Sequence, residues 1–128
     1  MAHKVGAVFH IPHGCANAIF LPYVIKYNRK ACEDRYANIA RHIGLKGESE
    51  RELTDALIDL INKFNKELNI PSSMKEYGIE ENEFKANLKF IAHNAVLDPC
   101  TGSNPREIDD ETMEKLYTCA YYGSDVDF

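Results

Sequence analysis

The sequence predicts an all-α fold, a compact helical bundle that forms a single domain over residues 1–128. Apolar residues recur every three or four positions along several segments, and no segment alternates apolar and polar residues as a strand does. Capping residues and helix breakers separate these segments, which show no internal repeat or interdomain linker. A hydrophobic content of 45% in 128 residues suits one globular domain.

The clearest helix begins at a capping box, Ser49-Glu50-Arg51-Glu52, and should end near Asn69, because Pro71 follows. Its apolar residues are spaced so that one stripe can face a core while the charged residues between them stay in water. That stripe comprises Leu53, Ala56, Leu57, Leu60, Ile61, Phe64 and Leu68.

Four further segments are predicted from similar signals. A short helix runs from Glu33 to His42 and stops at Gly44, and its buried side should carry Tyr36, Ile39, Ala40 and Ile43. Ser72 or Ser73 can cap a single turn, Met74 to Tyr77, closed by Gly78. A helix marked by Phe84, Leu88, Ile91 and Ala95 should end at Asp98-Pro99. After a loop from Pro99 to Pro105, Asp109 or Asp110 caps a last helix that carries Met113, Leu116, Tyr117, Ala120 and Tyr121 and ends at Gly123. Residues after Ser124 are expected to fray.

Composition excludes several classes of function. With 15 Lys+Arg against 20 Asp+Glu, the net charge is −5, and without a basic cluster a nucleic-acid groove is not expected. The most apolar stretch, Ala16 to Ile25, contains Pro22 and falls short of the roughly 20 residues that a bilayer requires. The four cysteines are scattered and form no C-x-x-C pair, so we expect reduced thiols in a cytoplasmic protein.

The N-terminal segment differs from the rest of the chain. Residues 1–30 contain Lys4, Lys26, Arg29 and Lys30 but no acid, so this end should face something that disfavours carboxylates. Met1 to Phe9 is apolar enough for a buried helix but has no capping residue ahead of it. We therefore expect a preceding segment, and self-association where this end is exposed.

Three of the five histidines, His3, His10 and His13, lie within the first 13 residues, beside Pro12 and Gly14. Imidazole is the commonest metal ligand in proteins, but an H-x-x-H pair without a third ligand is a weak pattern. Spacing alone favours ordinary, partly buried histidines, and for His10 a packing or hydrogen-bonding role. His42 and His93 are expected at the surface, and the turn residues of Cys100 to Arg106 suit a structural loop.

Several stretches nevertheless resemble the iron-containing (group III) alcohol dehydrogenases, in particular the C-terminal helical domain of the bifunctional aldehyde–alcohol dehydrogenases. The matching stretches, in order, are Met1-Ala2-His3-Lys4, Phe9 to Gly14, Ala16-Asn17-Ala18, Arg35 to Ala40, Leu68 to Pro71, Cys100 to Arg106 and Tyr121-Tyr122-Gly123. The resemblance covers nearly the whole chain. It implies the dehydroquinate synthase-like α-helical domain of this family.

The resemblance also implies site residues. Members hold one divalent metal, Fe²⁺ or Zn²⁺, through one Asp and three His between this domain and an N-terminal nucleotide-binding domain, and they use NAD. His13 matches the last of these ligands. His3 matches a histidine near the nicotinamide and substrate that serves in proton relay or pocket polarity rather than in metal binding. Phe9 is a candidate apolar wall for a small alcohol or aldehyde. The other ligands and any glycine-rich phosphate loop are absent from these residues.

Two functions remain open. In the first, the chain is the C-terminal domain or a fragment of an iron-dependent, NAD-linked alcohol dehydrogenase, needs the nucleotide-binding domain as its partner, and is inactive by itself. One imidazole cannot hold a metal against water, so tight binding of Fe²⁺, Zn²⁺ or NAD by this chain alone is not expected. In the second, it is a non-catalytic helical remnant or an assembly module, since the family forms homo-oligomers.

Overall fold

The computed structural model describes residues 1–128 and confirms the all-α prediction, with six α-helices and no strand. The helices are α1 (Ala2–Phe9), α2 (His13–His42), α3 (Glu50–Glu67), α4 (Met74–Tyr77), α5 (Glu81–Val96) and α6 (Asp110–Tyr122). A 3-10 turn, Thr101–Ser103, lies in the loop between α5 and α6.

The main core consists of 19 buried residues from α1, the first part of α2, α4, α5, α6 and the chain end. At its centre the rings of Phe84 and Tyr121 stack with centroids 4.1 Å apart. The Tyr117 hydroxyl donates to the backbone carbonyl of Met1 over 2.9 Å and so ties α6 to the start of α1. Burial of apolar area here supplies most of the stabilisation.

A smaller cluster joins the second half of α2 to α3. Its four buried residues are Ala37, Ala40, Leu53 and Leu57. We call residues 32–67, which contain this cluster, the α2–α3 arm. The arm packs mainly by contact between its own two helices.

The helix predicted over Glu33 to His42 is the end of the 30-residue helix α2, in which Cys32 has non-helical angles (φ −152°, ψ 41°). The predicted buried side was wrong for Ile39 and Ile43, each 49% exposed. Small side chains at Ala37 and Ala40 let α3 approach closely, so this face of α2 turns inward instead.

Pro22 lies inside α2 and does not end it. Proline has no N–H, so the carbonyl of Ala18 loses its helical partner. The Asn65 side-chain amide on α3 donates to that carbonyl over 2.9 Å. Although α2 is 30 residues long, neither it nor any other helix combines the length and apolarity needed to cross a membrane.

Three predicted helix caps, at Ser49, Ser73 and Asp109, are confirmed. Ser49 Oγ accepts from the Glu52 N–H over 3.1 Å, and Ser73 Oγ caps α4 in the same way. Asp109 Oδ1 accepts from the N–H of Thr112 over 2.8 Å at the start of α6. These caps satisfy N–H groups that would otherwise lack partners.

The expectation of a frayed C-terminus was wrong. Val126 is 8% exposed and belongs to the main core. The Arg106 guanidinium also donates to the backbone carbonyl of Phe128 over 2.8 Å. An apolar side chain and a tethered carbonyl therefore hold the last residues against the bundle.

Candidate functional site

A cavity of about 460 Å³ lies between α1, the first turns of α2 and the segment from Asp98 to Ile108. Eleven of its 18 lining residues are hydrophobic, and they include Phe20, Leu21, Val24, Met113 and Leu116. The polar lining includes His3, His13, Asn17 and Asp98, and Cys100 lines the cavity beside them. An apolar pocket with a few polar groups at one side suits a small organic ligand.

The sharp turn between α1 and α2 brings His3 and His13 together. His10 ends α1 with a left-handed conformation (φ 57°), and α2 begins at His13. The two imidazole rings stack with centroids 5.1 Å apart and 13° between their planes. His10 itself is exposed, so the packing role predicted for its side chain was wrong. Its contribution is the backbone conformation that ends α1.

His13 is the first residue of α2, and its side chain is exposed. The Asn17 amide donates to His13 Nε2 over 3.0 Å, one helical turn further along. Accepting this bond requires a lone pair on Nε2, which is the form of the nitrogen that binds a metal.

Asp98 orients the other imidazole. Asp98 Oδ2 lies 3.1 Å from His3 Nδ1, and Asp98 Oδ1 accepts from the backbone N–H of Cys100 over 3.1 Å. These hydrogen bonds, that from His3 first, hold the pKa of the Asp98 carboxyl well below its usual range. The ionised carboxylate therefore orients the His3 ring, and the Lys4 ammonium lies 3.5 Å from Oδ2.

The sequence interpretation missed Asp98 and treated it only as the end of α5. Its partner His3 lies 95 positions away in the chain, so no spacing rule joins them. The available signal was its position two residues before the Cys100 to Arg106 stretch of the family resemblance.

Hydrogen bonds and a cation–π contact hold the segment from Cys100 to Arg106 against α2, in agreement with the structural role predicted for it. The side chains of Asn28 and Asn104 exchange hydrogen bonds of 2.8 Å in both directions. The Arg106 guanidinium lies 4.0 Å from the centroid of the Tyr27 ring and donates to the carbonyl of Tyr27. Of these residues, Tyr27, Asn28 and Asn104 also line the cavity.

Phe9, His42 and His93 do not line the cavity. Phe9, proposed as an apolar wall of the substrate pocket, is buried in the main core and does not line this cavity. His42 and His93 are exposed, as predicted, and His93 Nδ1 lies 2.7 Å from Asp110 Oδ2. The cavity wall comes instead from α2 and α6 side chains.

The residues present do not complete a metal shell around His13. The one group of potential ligands whose donor atoms all lie within 4.8 Å of one another comprises His3, Asp98 and Cys100, without His13. His13 alone offers one donor, whereas a protein-bound zinc or similar ion takes three or four.

This helical bundle places paired histidines beside an apolar cavity, an arrangement that suits the ligand site of an enzyme domain. Residues 1–121 match the family model described as "Fe-containing alcohol dehydrogenase family, C-terminal". The chain belongs to the iron-containing alcohol dehydrogenase family and matches its C-terminal part.

The curated relatives of this chain are longer proteins. It is 56% identical over 128 residues to the NADPH-dependent butanol dehydrogenase of Clostridium saccharobutylicum, and the match covers 100% of this chain and 33% of that protein. Its identity to the bifunctional aldehyde-alcohol dehydrogenase of Escherichia coli (strain K12) is 37% over 142 residues, which cover 98% of this chain and 16% of that protein. The chain thus spans a third or less of the length of these relatives.

Solved structures agree with these matches. A 1,3-propanediol oxidoreductase superposes with a TM-score of 0.84 at 28% identity, over 94% of this chain and 31% of that one. The alcohol dehydrogenase from Oenococcus oeni gives a TM-score of 0.83 at 32% identity, over the same shares of the two chains. The fold of this chain is therefore that of part of an iron-containing alcohol dehydrogenase.

Proposed function

We propose that this chain acts as the C-terminal helical domain of an iron-dependent, nicotinamide-linked dehydrogenase that interconverts a small alcohol and its aldehyde. The observation that carries the proposal is the stacking of His3 on His13, 5.1 Å apart, beside a mostly apolar cavity. Both histidines lie within residues 1–121, which match the family model.

In this proposal His13 supplies one ligand to a divalent metal, Fe²⁺ or Zn²⁺, whose chemistry is to polarise the alcohol or aldehyde oxygen. His13 would bind through Nε2, so the Asn17 amide must release that atom. Before the metal binds, this hydrogen bond from Asn17 holds the His13 ring in position.

His3 serves in proton relay. The Asp98 carboxylate favours a proton on His3 Nδ1 and leaves the other ring nitrogen free to accept or donate a proton at the cavity. The apolar wall of Phe20, Leu21 and Val24 excludes water from a short aliphatic substrate.

The nucleotide-binding domain is the main partner in this proposal, and NAD or NADP would bind there. The relative from Clostridium saccharobutylicum is named as NADPH-dependent, so both nicotinamides belong in any assay. We expect a cytoplasmic location, where the four free cysteines stay reduced. We also expect self-association, and a clean monomer in light scattering at high concentration would contradict that part.

The isolated chain should be inactive, because His13 alone cannot retain iron. After exhaustive dialysis we expect no stoichiometric iron, and no turnover in an assay with ethanol and NAD. Measurable turnover by residues 1–128 would contradict the assignment of the missing ligands to another domain.

A chimera tests the activity itself. Residues 1–128 replace the 33% of the Clostridium saccharobutylicum butanol dehydrogenase that they match. We expect nicotinamide-linked aldehyde reduction, which His13→Ala abolishes. The matched control is His42→Ala at the other end of α2, which should leave activity unchanged. A folded but inactive chimera would instead favour the non-catalytic module.

A further inference from the structure

One cluster of potential metal ligands excludes the proposed iron ligand His13. The donor atoms of His3, Asp98 and Cys100 all lie within 4.8 Å of one another. His3 comes from α1, whereas Asp98 and Cys100 come from the turn after α5. All three side chains line the same cavity.

We propose that His3, Asp98 and Cys100 form a binding site for Zn²⁺. Imidazole nitrogen, carboxylate oxygen and thiolate sulfur are the three protein donors that zinc uses, and three such ligands with one open position are typical of its reactive sites. A neutral imidazole, a carboxylate and a thiolate together balance the two positive charges of the ion. The site therefore suits a thiophilic divalent cation.

The distances allow this assignment with small side-chain movements. His3 Nδ1 and Asp98 Oδ2, 3.1 Å apart, already have a separation suited to two ligands of one zinc ion bound at about 2.0–2.2 Å. Asp98 is held by the backbone N–H of Cys100. His3 and Cys100 are exposed, so their side chains can rotate to bring the third donor in.

Cys100 is the thiol best placed for this role. It is exposed, whereas Cys32 is buried and Cys15 and Cys119 are half-buried. Cys119 Sγ also contacts the backbone carbonyl of Asp125 at 3.2 Å. No other thiol belongs to a group of three close donors.

Lys4 competes with the ion. Its ammonium lies 3.5 Å from Asp98 Oδ2, and its side chain is one-third exposed, so it can leave when a cation binds. Zinc at this site would also occupy His3 and so remove it from the proposed proton relay. The site does not depend on that relay or on His13, so the two proposals can fail separately. It does revise the expectation that this chain alone binds no zinc.

The test titrates the metal-free chain of 128 residues with Co²⁺, a spectroscopic substitute for zinc. We expect sulfur-to-cobalt charge-transfer absorption that saturates at one equivalent and disappears when Zn²⁺ is added. Cys100→Ser should abolish the absorption, whereas Cys119→Ser should retain it. No absorption in the original chain, or its survival in Cys100→Ser, would overturn the proposal.

Variants of the other groups distinguish this site from a metal site built on His13. Asp98→Asn should weaken cobalt binding at least as much as the roughly tenfold loss typical of an outer-shell partner, and Lys4→Gln should strengthen it. His13→Ala should retain the absorption, and its loss there would assign the metal to a site that uses His13.

Alkylation tests the same site without any variant. Zinc should protect Cys100 of the folded chain from iodoacetamide, as mapped by mass spectrometry, because a coordinated thiolate is a poorer nucleophile than a free one. Equal labelling of Cys100 with and without zinc would also overturn the proposal.

Discussion

The main core and the α2–α3 arm differ in how they are built. The main core joins 19 buried residues from both ends of the chain, whereas the arm has a cluster of four from two helices adjacent in sequence. Every candidate site residue lies outside the arm. The candidate site residues therefore lie in the region where long-range packing fixes distant backbone segments relative to one another.

Hydrogen bonds from Arg29 and Asn65 connect the arm to the rest of the bundle. Arg29, whose side chain is 6% exposed, donates to Glu33 Oε1 over 2.8 Å and to Asp55 Oδ1 over 2.9 Å. The Asn65 amide adds the bond to Ala18. On the outer side Phe64 and Leu68 remain 50% and 69% exposed. The arm therefore gains less stability from apolar burial. Truncating one of its buried side chains should lower the free energy of unfolding by less than the same kind of change in the main core.

The largest contrast is expected from truncating one buried side chain in each region. Phe84→Ala in the main core should lower the free energy of unfolding by about 3–5 kcal/mol, because a 1% exposed ring stacked on Tyr121 leaves a cavity. Leu57→Ala in the arm should cost about 2 kcal/mol, the low end for such a change, because the small cluster can relax. Urea unfolding followed by circular dichroism measures both. Equal losses would contradict the distinction between the regions.

A smaller loss of stability is expected from removing the hydrogen bond between Asn65 on α3 and Ala18 on the first part of α2. Asn65→Ala should cost about 1–2 kcal/mol, because the carbonyl of Ala18 loses the donor that replaces the missing N–H of Pro22. Asn62→Ala, an exposed asparagine on the same helix, is the matched control and should change stability by less than about 0.5 kcal/mol. Thermal unfolding distinguishes them, and equal effects would remove the role assigned to Asn65.

The smallest effects are expected at the helix caps. The stabilisation by the cap should depend on pH in the main core but not in the arm. Ser49→Ala at the start of α3 should cost about 1 kcal/mol at every acidic pH, since a hydroxyl does not titrate there. Hydrogen bonds from Thr112 lower the pKa of Asp109 at the start of α6. Its folded-state pKa lies below its unfolded value, so Asp109 stabilises α6 fully above the unfolded value and loses this effect as pH falls through the folded one.

The measurement for the caps is unfolding of Asp109→Ala and Ser49→Ala between neutral pH and strong acid. The difference between the original chain and Asp109→Ala should shrink on acidification, whereas that for Ser49→Ala should stay constant. A pH-independent loss in Asp109→Ala would show that its carboxylate charge does not matter to the cap.

Local features of the fold could be predicted from the sequence because their physics is local. The caps at Ser49, Ser73 and Asp109 each bond an N–H three residues away. The face of α2 that meets α3 could not be predicted, because close packing of Ala37 and Ala40 outweighs the larger Ile39 and Ile43. That choice depends on where α3 lies.

The candidate site also combines features that the sequence predicts with features that depend on tertiary contacts. His3 and His13 were found through a family resemblance, whereas spacing alone favoured ordinary histidines. Asp98 was not recognised, because its contact with His3 spans 95 positions and forms only when α1 packs beside the end of α5. The left-handed His10 that sets the turn also carried no sequence signal, since this conformation is uncommon outside glycine.

We propose that His13 supplies this chain's ligand to the dehydrogenase metal. The most direct test is the iron content of the purified chimera, measured by mass spectrometry after dialysis, for the original sequence, His13→Ala and His42→Ala. We predict one iron per chain in the original and in His42→Ala, and almost none in His13→Ala. Full iron occupancy in a folded His13→Ala chimera would contradict the claim.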